Sequence, residues 1–483
     1  MKNINRKIRT NFPILILFSL LLISNETSAK KIVAKSIDEF KTMVNKAAKS
    51  DSVILINGIF KDAGLININS NAVFILAEKS GSVIFTGNTM FKINGSENTF
   101  EGFQFLNGDI GSDKEKVIEI IGNYNNISQC NFYNITSHNY IHFQEGSHHN
   151  QLSYCNLEKK PAVHNAGPAI QITTSESIVN HTWIHHCTFQ NFDGEGGDFG
   201  NEPIRIGLGK EQNNVSGAVV EFCYFENLGL ADNETISVKS TSNIIRYNTF
   251  NNNPLGQLTF RTGNKNSAYG NYFINSGGIR IKEGEYHSVY NNYFQGKGDD
   301  KFATIKLMNF KMNQKTNVGL PLNHILLYNN SFYNSGAIEL GGEGANPPKN
   351  VSFENNIFYK KEGAIFSDIN SNINFLNNIY FGGAALGIEV NSSDFINKDP
   401  MFVEHNNTYH LSSKSPAIDA GLELNPAIFD NPEVDDDSSL LLDIEGQQRS
   451  EKKDIGCDEF SKSKTNNNVL NKTDVGPNYL SKK

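Results

Sequence analysis

Cys223-Tyr-Phe225, Asn248-Thr-Phe250, Asn271-Tyr-Phe273 and Asn292-Tyr-Phe294 repeat one short phrase at nearly constant spacing. The phrase is Asn or Cys, any residue, then Phe, Leu or Tyr. It also starts at Asn98, Cys130, Cys155, Cys187, Asn330, Asn356 and Asn378, at intervals of 21 to 38 residues. A repeat of that length marks a stacked solenoid, in which each coil buries its apolar face against its neighbours. Between the phrases, short β-rich runs such as Val53–Ile56, Ala72–Leu76 and Val83–Phe85 alternate with Asn, Gly and Ser turns. The predicted fold is therefore all-β, a single-stranded right-handed parallel β-helix. Coils stack roughly 4.8 Å apart, so inward Phe, Ile and Val form the core. The corner Asn can form a hydrogen-bonded ladder that satisfies turn backbone groups. The long intervals 187–223 and 292–330 mark coils with inserted loops, where clefts are usually walled.

At the N-terminus, Lys2, Arg6, Lys7 and Arg9 precede an apolar run, Phe12 to Ile23, and a small-residue site at Thr27-Ser-Ala29. Residues 1–29 read as a secretory signal peptide, with a short membrane anchor as the alternative. A secreted or periplasmic location follows, with no membrane association after cleavage. Ser36-Ile-Asp-Glu39 is a capping box ahead of Phe40, Met43, Val44 and Ala47 at helical spacing, which predicts a short N-terminal capping helix. The solenoid domain is expected over residues 30–460. Its C-terminal stretch, including Asp399–Phe402 and Asp454–Phe460, reads as closing structure, and Glu433–Asp437 as a solvated acidic loop with weak calcium binding as the alternative. The Asn/Lys/Ser-rich residues 461–483 read as a disordered tail.

Removing residues 1–29 takes away four cations and Glu26, moving the formal net charge from -8 to -11. A chain this acidic is not expected to bind nucleic acid, which requires a basic face. A polyanionic partner remains compatible only where a local group of cations or a metal overrides the global field. Cys130, Cys155, Cys187 and Cys223 occupy the ladder position that Asn holds in later coils, and are read as a buried stack of free thiols rather than disulfides. Cys457 is the odd one.

The repeat also serves as a ruler. Lys239 lies nine residues before Asn248, Arg261 ten before Asn271 and Lys282 ten before Asn292, with Arg280 two residues before Lys282 on the same strand face. A cationic column on consecutive rungs is costly unless an anion sits against it, so a polyanion site is the favoured reading and a solvated basic stripe the alternative. Asp232 and Glu234, spaced i, i+2, either compensate that charge or hold a hard cation such as Ca²⁺. Histidines gather at positions 138, 142, 148, 149, 164, 181, 185 and 186, mostly at turn or core addresses. Trp183 and Tyr286 are possible sugar platforms, with packing the favoured role for Trp183. Glu195 and Asp198 read as loop formers near the cleft.

Asn233-Glu-Thr-Ile-Ser-Val-Lys-Ser240, Leu258-Thr-Phe-Arg261, Gly263-Asn264 and Gly277-Gly-Ile-Arg280 resemble the core of the polysaccharide lyase family that contains alginate lyases and chondroitinase B. Glu202-Pro-Ile-Arg-Ile-Gly207 is similar to that family's Glu-x-Ile-Arg-Ile-Gly segment. The resemblance is dense from about 180 to 295 and implies β-elimination on a uronic-acid polysaccharide. It puts Lys239 in the position of the general base and Arg261 in that of the general acid. It implies Ca²⁺ held by Asn201, Asp232 and Glu234. Arg280 falls where the family contacts substrate carboxylate, and Lys282, Arg205 and His287 complete the expected substrate-binding set. Thr262 stands where the family commonly has His, and Ile236-Ser-Val-Lys239 looks closer to the alginate lyases than to chondroitinase B. Alginate is the preferred substrate and dermatan sulfate the alternative. The rival readings are a glycoside hydrolase, which needs carboxylates on both sides of the bond, and a non-catalytic glycan-binding β-helix. The expected partner is an anionic polysaccharide, with the protein a monomer or weak dimer.

Overall fold

The computed structural model describes residues 28–480 apart from 195–199, 231, 297–302, 310–319, 342–345, 368–372, 392–393 and 424–439. The signal segment to residue 27, Glu195, Asp198 and the acidic run 433–437 lie outside the described residues. Among the described residues, three parallel sheets of 14, 12 and 14 strands run along the molecule, and a coil typically gives one strand to each. The central coil is typical: Val219–Glu221 in the first sheet, Tyr224–Glu226 in the second and Glu234–Val238 in the third.

The repeated phrase sits at the corner between the first and second sheets, and the corner explains it. The residue before each Cys or Asn adopts a left-handed conformation, from Gln129 at φ 52° through Phe222 at 50° and Tyr247 at 54° to Asn377 at 55°. That tight turn leaves backbone groups that an adjacent strand cannot reach. Asn292 supplies the missing partners: its Nδ2 donates to Ala268 O at 2.9 Å and to Asn330 Oδ1 at 3.0 Å, while its Oδ1 accepts from Asn271 N at 3.0 Å. The pattern continues through Asn330, Asn356 and Asn378. In earlier coils Cys130, Cys155, Cys187 and Cys223 fill the position as buried free thiols. The following Phe residues point inward and stack nearly parallel, with centroids 4.6 Å apart for Phe225–Phe250 and again for Phe250–Phe273.

Asn98 is the exception among the phrases. Thr99 pairs with Asn126, in the first sheet, whereas Phe132 pairs with Phe105. Asn98 therefore belongs to a second ladder, with Asn125 and Asn150, one corner earlier in the coil. Two corners with the same hydrogen-bonding need select the same residue type.

Asn292→Ala is expected to destabilise the protein by about 3 kcal/mol, because Ala268 O, Asn330 Oδ1 and Asn271 N all lose a partner in a dry corner. Urea unfolding measures it, and a change within about 0.5 kcal/mol would show that the ladder adds little beyond the strands.

Helix Ile37–Met43 forms as expected: Ser36 Oγ accepts from Glu39 N at 3.2 Å, and Phe40 is buried against the first coils. The C-terminal stretch departs from expectation. Rather than closing the solenoid, Phe402–His405 and Thr408–Leu411 form an antiparallel hairpin, and residues 440–460 turn back along the flank. They dock on the corner ladder, where Arg449 Nη2 donates to Asn291 Oδ1 at 2.9 Å and Cys457 N to Ser331 Oγ at 3.1 Å. Residues 461–480 are likewise laid along the solenoid instead of hanging free. Leu470 N donates to Thr249 Oγ1 and Asn478 N to Gln129 Oε1, and Val475 is buried. The tail is polar in composition, yet side chains along the solenoid flank give its backbone hydrogen-bond partners. No helix among the described residues is long and apolar enough to cross a membrane.

Candidate active site

The third sheet carries the site on its outer face. Pairing of Val238 with Phe260 and of Phe260 with Ile281 puts Lys239, Arg261 and Lys282 at one address on three successive rungs, as the ruler predicts. A parallel outward column runs inside the strands: Arg205 pairs with Ser237, Ser237 with Thr259 and Thr259 with Arg280. Gly207 occupies the Lys239 address one rung earlier, at φ 81°, and a Cβ there would lie 2.9 Å from Ser240 Cβ. Only glycine lets the chain pass beside the lysine.

A β-bulge places the central carboxylate. Glu234 pairs with Gln257 and Ile236 with Leu258, so Thr235 is the extra residue. The bulge turns Glu234 to the same side as Ser237, whose hydroxyl donates to Glu234 Oε2. Glu234 is fully buried and Oε1 receives both Arg261 Nη1 at 2.8 Å and Arg280 Nη2 at 2.6 Å. Despite burial, these two guanidiniums and the Ser237 hydroxyl hold its carboxyl below the usual range.

Glu202 joins the site, and the sequence reading did not assign it a role. It lies two residues before Ile204 just as Glu234 lies two before Ile236, and those isoleucines pair. The shared pattern Glu-x-Ile-x-(Ile/Val), at Glu202 and again at Glu234, was the available signal. Glu202 binds Arg205 through both carboxylate oxygens and lies 3.9 Å from Lys239 Nζ. Burial, followed by the charge of Arg205, depresses the Lys239 amine.

Glu202, Asp232 and Glu234 bring carboxylate oxygens within 4.8 Å of one another, all buried. Asp232 accepts from Gly200 N at 2.8 Å and Glu234 N at 2.9 Å, yet burial and the charges of Glu202 and Glu234 push it up to about 8. Next to Glu202 in the chain, Asn201 is 1% exposed, and its Oδ1 has no hydrogen-bond partner among the described residues. The three buried acids form an all-oxygen donor set of the kind that suits a hard divalent cation such as Ca²⁺. Of the residues expected to hold calcium, Asp232 and Glu234 come together, joined by Glu202.

Asp232 gives this arrangement a pH signature. Its folded value lies above the ordinary 3.8, so the folded state keeps a proton that the unfolded chain releases. Stability of the calcium-free protein is then expected to fall as pH rises from about 4 to about 8. Asp232→Asn should flatten that slope and added calcium should offset it. Thermal unfolding across the range provides the check, and parallel pH profiles for the two proteins would refute the assignment.

His287 does not belong to the substrate-binding surface. It is 1% exposed, its Nδ1 accepts from Asn266 N at 3.1 Å and its Nε2 meets Glu283 O at 3.1 Å. Burial pushes it down to about 4, so it is a neutral scaffold residue packed against Phe260. Thr262 is also buried, and its Oγ1 finds no partner among the described residues. Trp183 sits on the first sheet, away from the site, with Nε1 donating to Glu221 at 2.8 Å. Tyr286 stacks on His324 at 4.7 Å. Of the histidines, His142 lies in the outward column of the third sheet and His164 lines a cleft of about 620 Å³ between residues 161–165 and Asp193, which Asn201 borders. Lys160 is buried, donating to Ser137 O at 3.3 Å, with its amine pushed down to about 7 by desolvation.

Fold and site together define a parallel β-solenoid with a cationic column set over buried acids on one sheet. The chain belongs to the family described as chondroitinase B, whose model matches residues 34–347. Among solved structures it is similar to the PL6 family alginate lyase AlyGC, at 24% identity and TM-score 0.67, covering 80% of this chain and 55% of that one. It is also similar to a mannuronic acid specific polysaccharide family 6 lyase enzyme from human gut microbiota, at 22% identity, TM-score 0.60 and coverages of 73% and 86%. A third is the PL6 family polysaccharide lyase Pedsa3628 from Pseudopedobacter saltans, at 19% identity, TM-score 0.60 and coverages of 92% and 99%. The chain spans about half the length of AlyGC. No curated protein sequence matches it significantly.

Proposed function

We infer that the protein is a polysaccharide lyase that cleaves a uronic-acid polymer, alginate by preference, by β-elimination. The observation that carries this reading is the depressed lysine beside a guanidinium pair and a buried oxygen-donor set. Lys239, as a neutral amine, takes the C5 proton of the uronate. The electron pair left behind forms the C4–C5 double bond as the C4–O4 bond breaks. Arg261, in the general-acid position, hydrogen-bonds the departing O4 oxygen, which takes its proton from water while Lys239 returns the C5 proton to solvent. Arg280 and Lys282 line the same face, where they can bind the carboxylates of neighbouring sugars.

Asn201, Glu202, Asp232 and Glu234 would hold Ca²⁺. When bound, the ion supplies positive charge for the uronate carboxylate, on which charge builds as the proton leaves. The preference for alginate rests on Ile236-Ser-Val-Lys239. The N-terminal segment fits an exported enzyme acting on polymer outside the cytoplasm.

The test offers purified protein alginate, polymannuronate, polyguluronate, dermatan sulfate and pectate, with and without chelator. The expected result is ultraviolet absorbance of an unsaturated product on alginate, lost with chelator and restored by calcium. Absence of that product on every polymer would overturn the lyase reading. Saturated oligosaccharides would instead indicate a hydrolase, and binding without product a glycan-binding module.

A further inference from the structure

The C-terminal cap brings His410, Glu445 and Asp458 together from three separate segments. His410 Nδ1 lies 3.6 Å from Glu445 Oε1 and 3.8 Å from Asp458 Oδ2, and the three ligating atoms fall within 4.8 Å of one another. The side chains are only 18%, 14% and 11% exposed.

Thr408 Oγ1 lies 2.9 Å from His405 O and 2.8 Å from His410 Nε2, which anchors the ring with its Nδ1 turned to the two carboxylates.

The two carboxylates favour positive charge at that point, which either a proton on Nδ1 or a metal ion among the three atoms would supply. A direct imidazolium–carboxylate hydrogen bond spans about 2.7–3.2 Å, and both gaps are longer. Ligand bonds of roughly 2.0–2.2 Å to a divalent transition metal leave donor atoms about 3–4 Å apart, which both gaps match. Neighbouring charged groups among the described residues are engaged elsewhere. Arg449, in the same cap, spends its guanidinium on Glu459, Asn291 Oδ1 and Gly456 O. Asp443 is committed to Gln447 N and Glu459 N.

We propose that His410, Glu445 and Asp458 form a second metal site, selective for a transition metal such as Zn²⁺ and structural in role. An imidazole donor favours such ions over calcium, in contrast to the oxygen-only set around Asp232. Outer contacts orient the ligands as expected of a metal centre: Thr408 fixes the imidazole, and Leu411 N donates to Asp458 Oδ2 at 2.9 Å. Bound metal would tie the 402–411 hairpin to the two segments that dock on the corner ladder. The site stands independently of the lyase reading.

The experiment strips the full chain with chelator, then adds Zn²⁺ in excess calcium and measures retained zinc against a chromophoric zinc chelator. One zinc per chain is expected, with retention lost in His410→Asn and affinity at least tenfold weaker in Glu445→Gln. His149→Ala, at the turn before the first-sheet strand Gln151–Ser153, should retain zinc fully. Zinc should also raise the unfolding temperature of the parent but not of His410→Asn. Should His410→Asn fail to fold, Glu445→Gln and the absorption spectrum of the Co²⁺-substituted parent decide. A parent that retains no zinc, or equal retention in parent and Glu445→Gln, would overturn the proposal in favour of an imidazolium held by two carboxylates.

Discussion

Lys239→Ala is expected to lower turnover of the cleaved polymer by about 10²–10⁴-fold, the range for removing a positioned general base, while leaving the unfolding temperature close to that of the parent. The side chain follows the last residue of its strand, 15% exposed on the outer face, and its recorded ion-pair distance is a long 3.9 Å, so little of the fold leans on it. Its chemistry depends on being a neutral amine. Burial and the nearby Arg205 and Arg261 charges hold its value below that of an ordinary lysine, which raises the fraction of free base near neutral pH. Activity should accordingly rise with pH as that amine deprotonates. Lys239→Arg should not restore it, because a guanidinium stays protonated. Retained activity in either variant would remove Lys239 as the base.

Glu234→Ala should do more, because it strikes both stability and chemistry. This carboxylate is fully buried and one of its oxygens serves two guanidiniums, at 2.8 and 2.6 Å. Removing it leaves Arg261 and Arg280 facing each other without an anion between them, and takes away one of the buried oxygen donors near Asp232. Breaking a buried ion pair from one side costs about 3–5 kcal/mol; the partial exposure of Arg261 argues for the lower end. Turnover should fall at least as far as it does on chelation. Urea unfolding and the ultraviolet assay measure the two losses separately. A variant with near-parental stability and activity would mean that the arginines are held by other contacts and that the carboxylate is dispensable.

Much of this was legible in the chain. The repeat phrase predicted the solenoid, and its spacing placed Lys239, Arg261 and Lys282 on one column, because parallel coils keep strict register and register is a matter of counting. Three features lay outside what counting supplies. Asn98 was assigned to the wrong corner, since two corners with the same unpaired backbone select the same amide. Glu234 reaches the outer face through a bulge at Thr235, which simple alternation cannot anticipate. His287 follows the basic strand in sequence, but its ring is turned inward to bind backbone.

By itself, then, the sequence determined the solenoid, its corner ladders and the cationic column, all consequences of short-range periodicity repeated along the axis. Tertiary structure decided what periodicity does not encode. It brought Glu202 beside Asp232 and Glu234, left Asn201 Oδ1 without a partner among the described residues, folded the polar C-terminus back onto the solenoid flank, and assembled His410, Glu445 and Asp458 from three segments. The physical reason is the same in each case. Buried charges and unpaired polar groups must find partners wherever the packed chain presents them, and those partners are set by where loops return rather than by any interval along the chain.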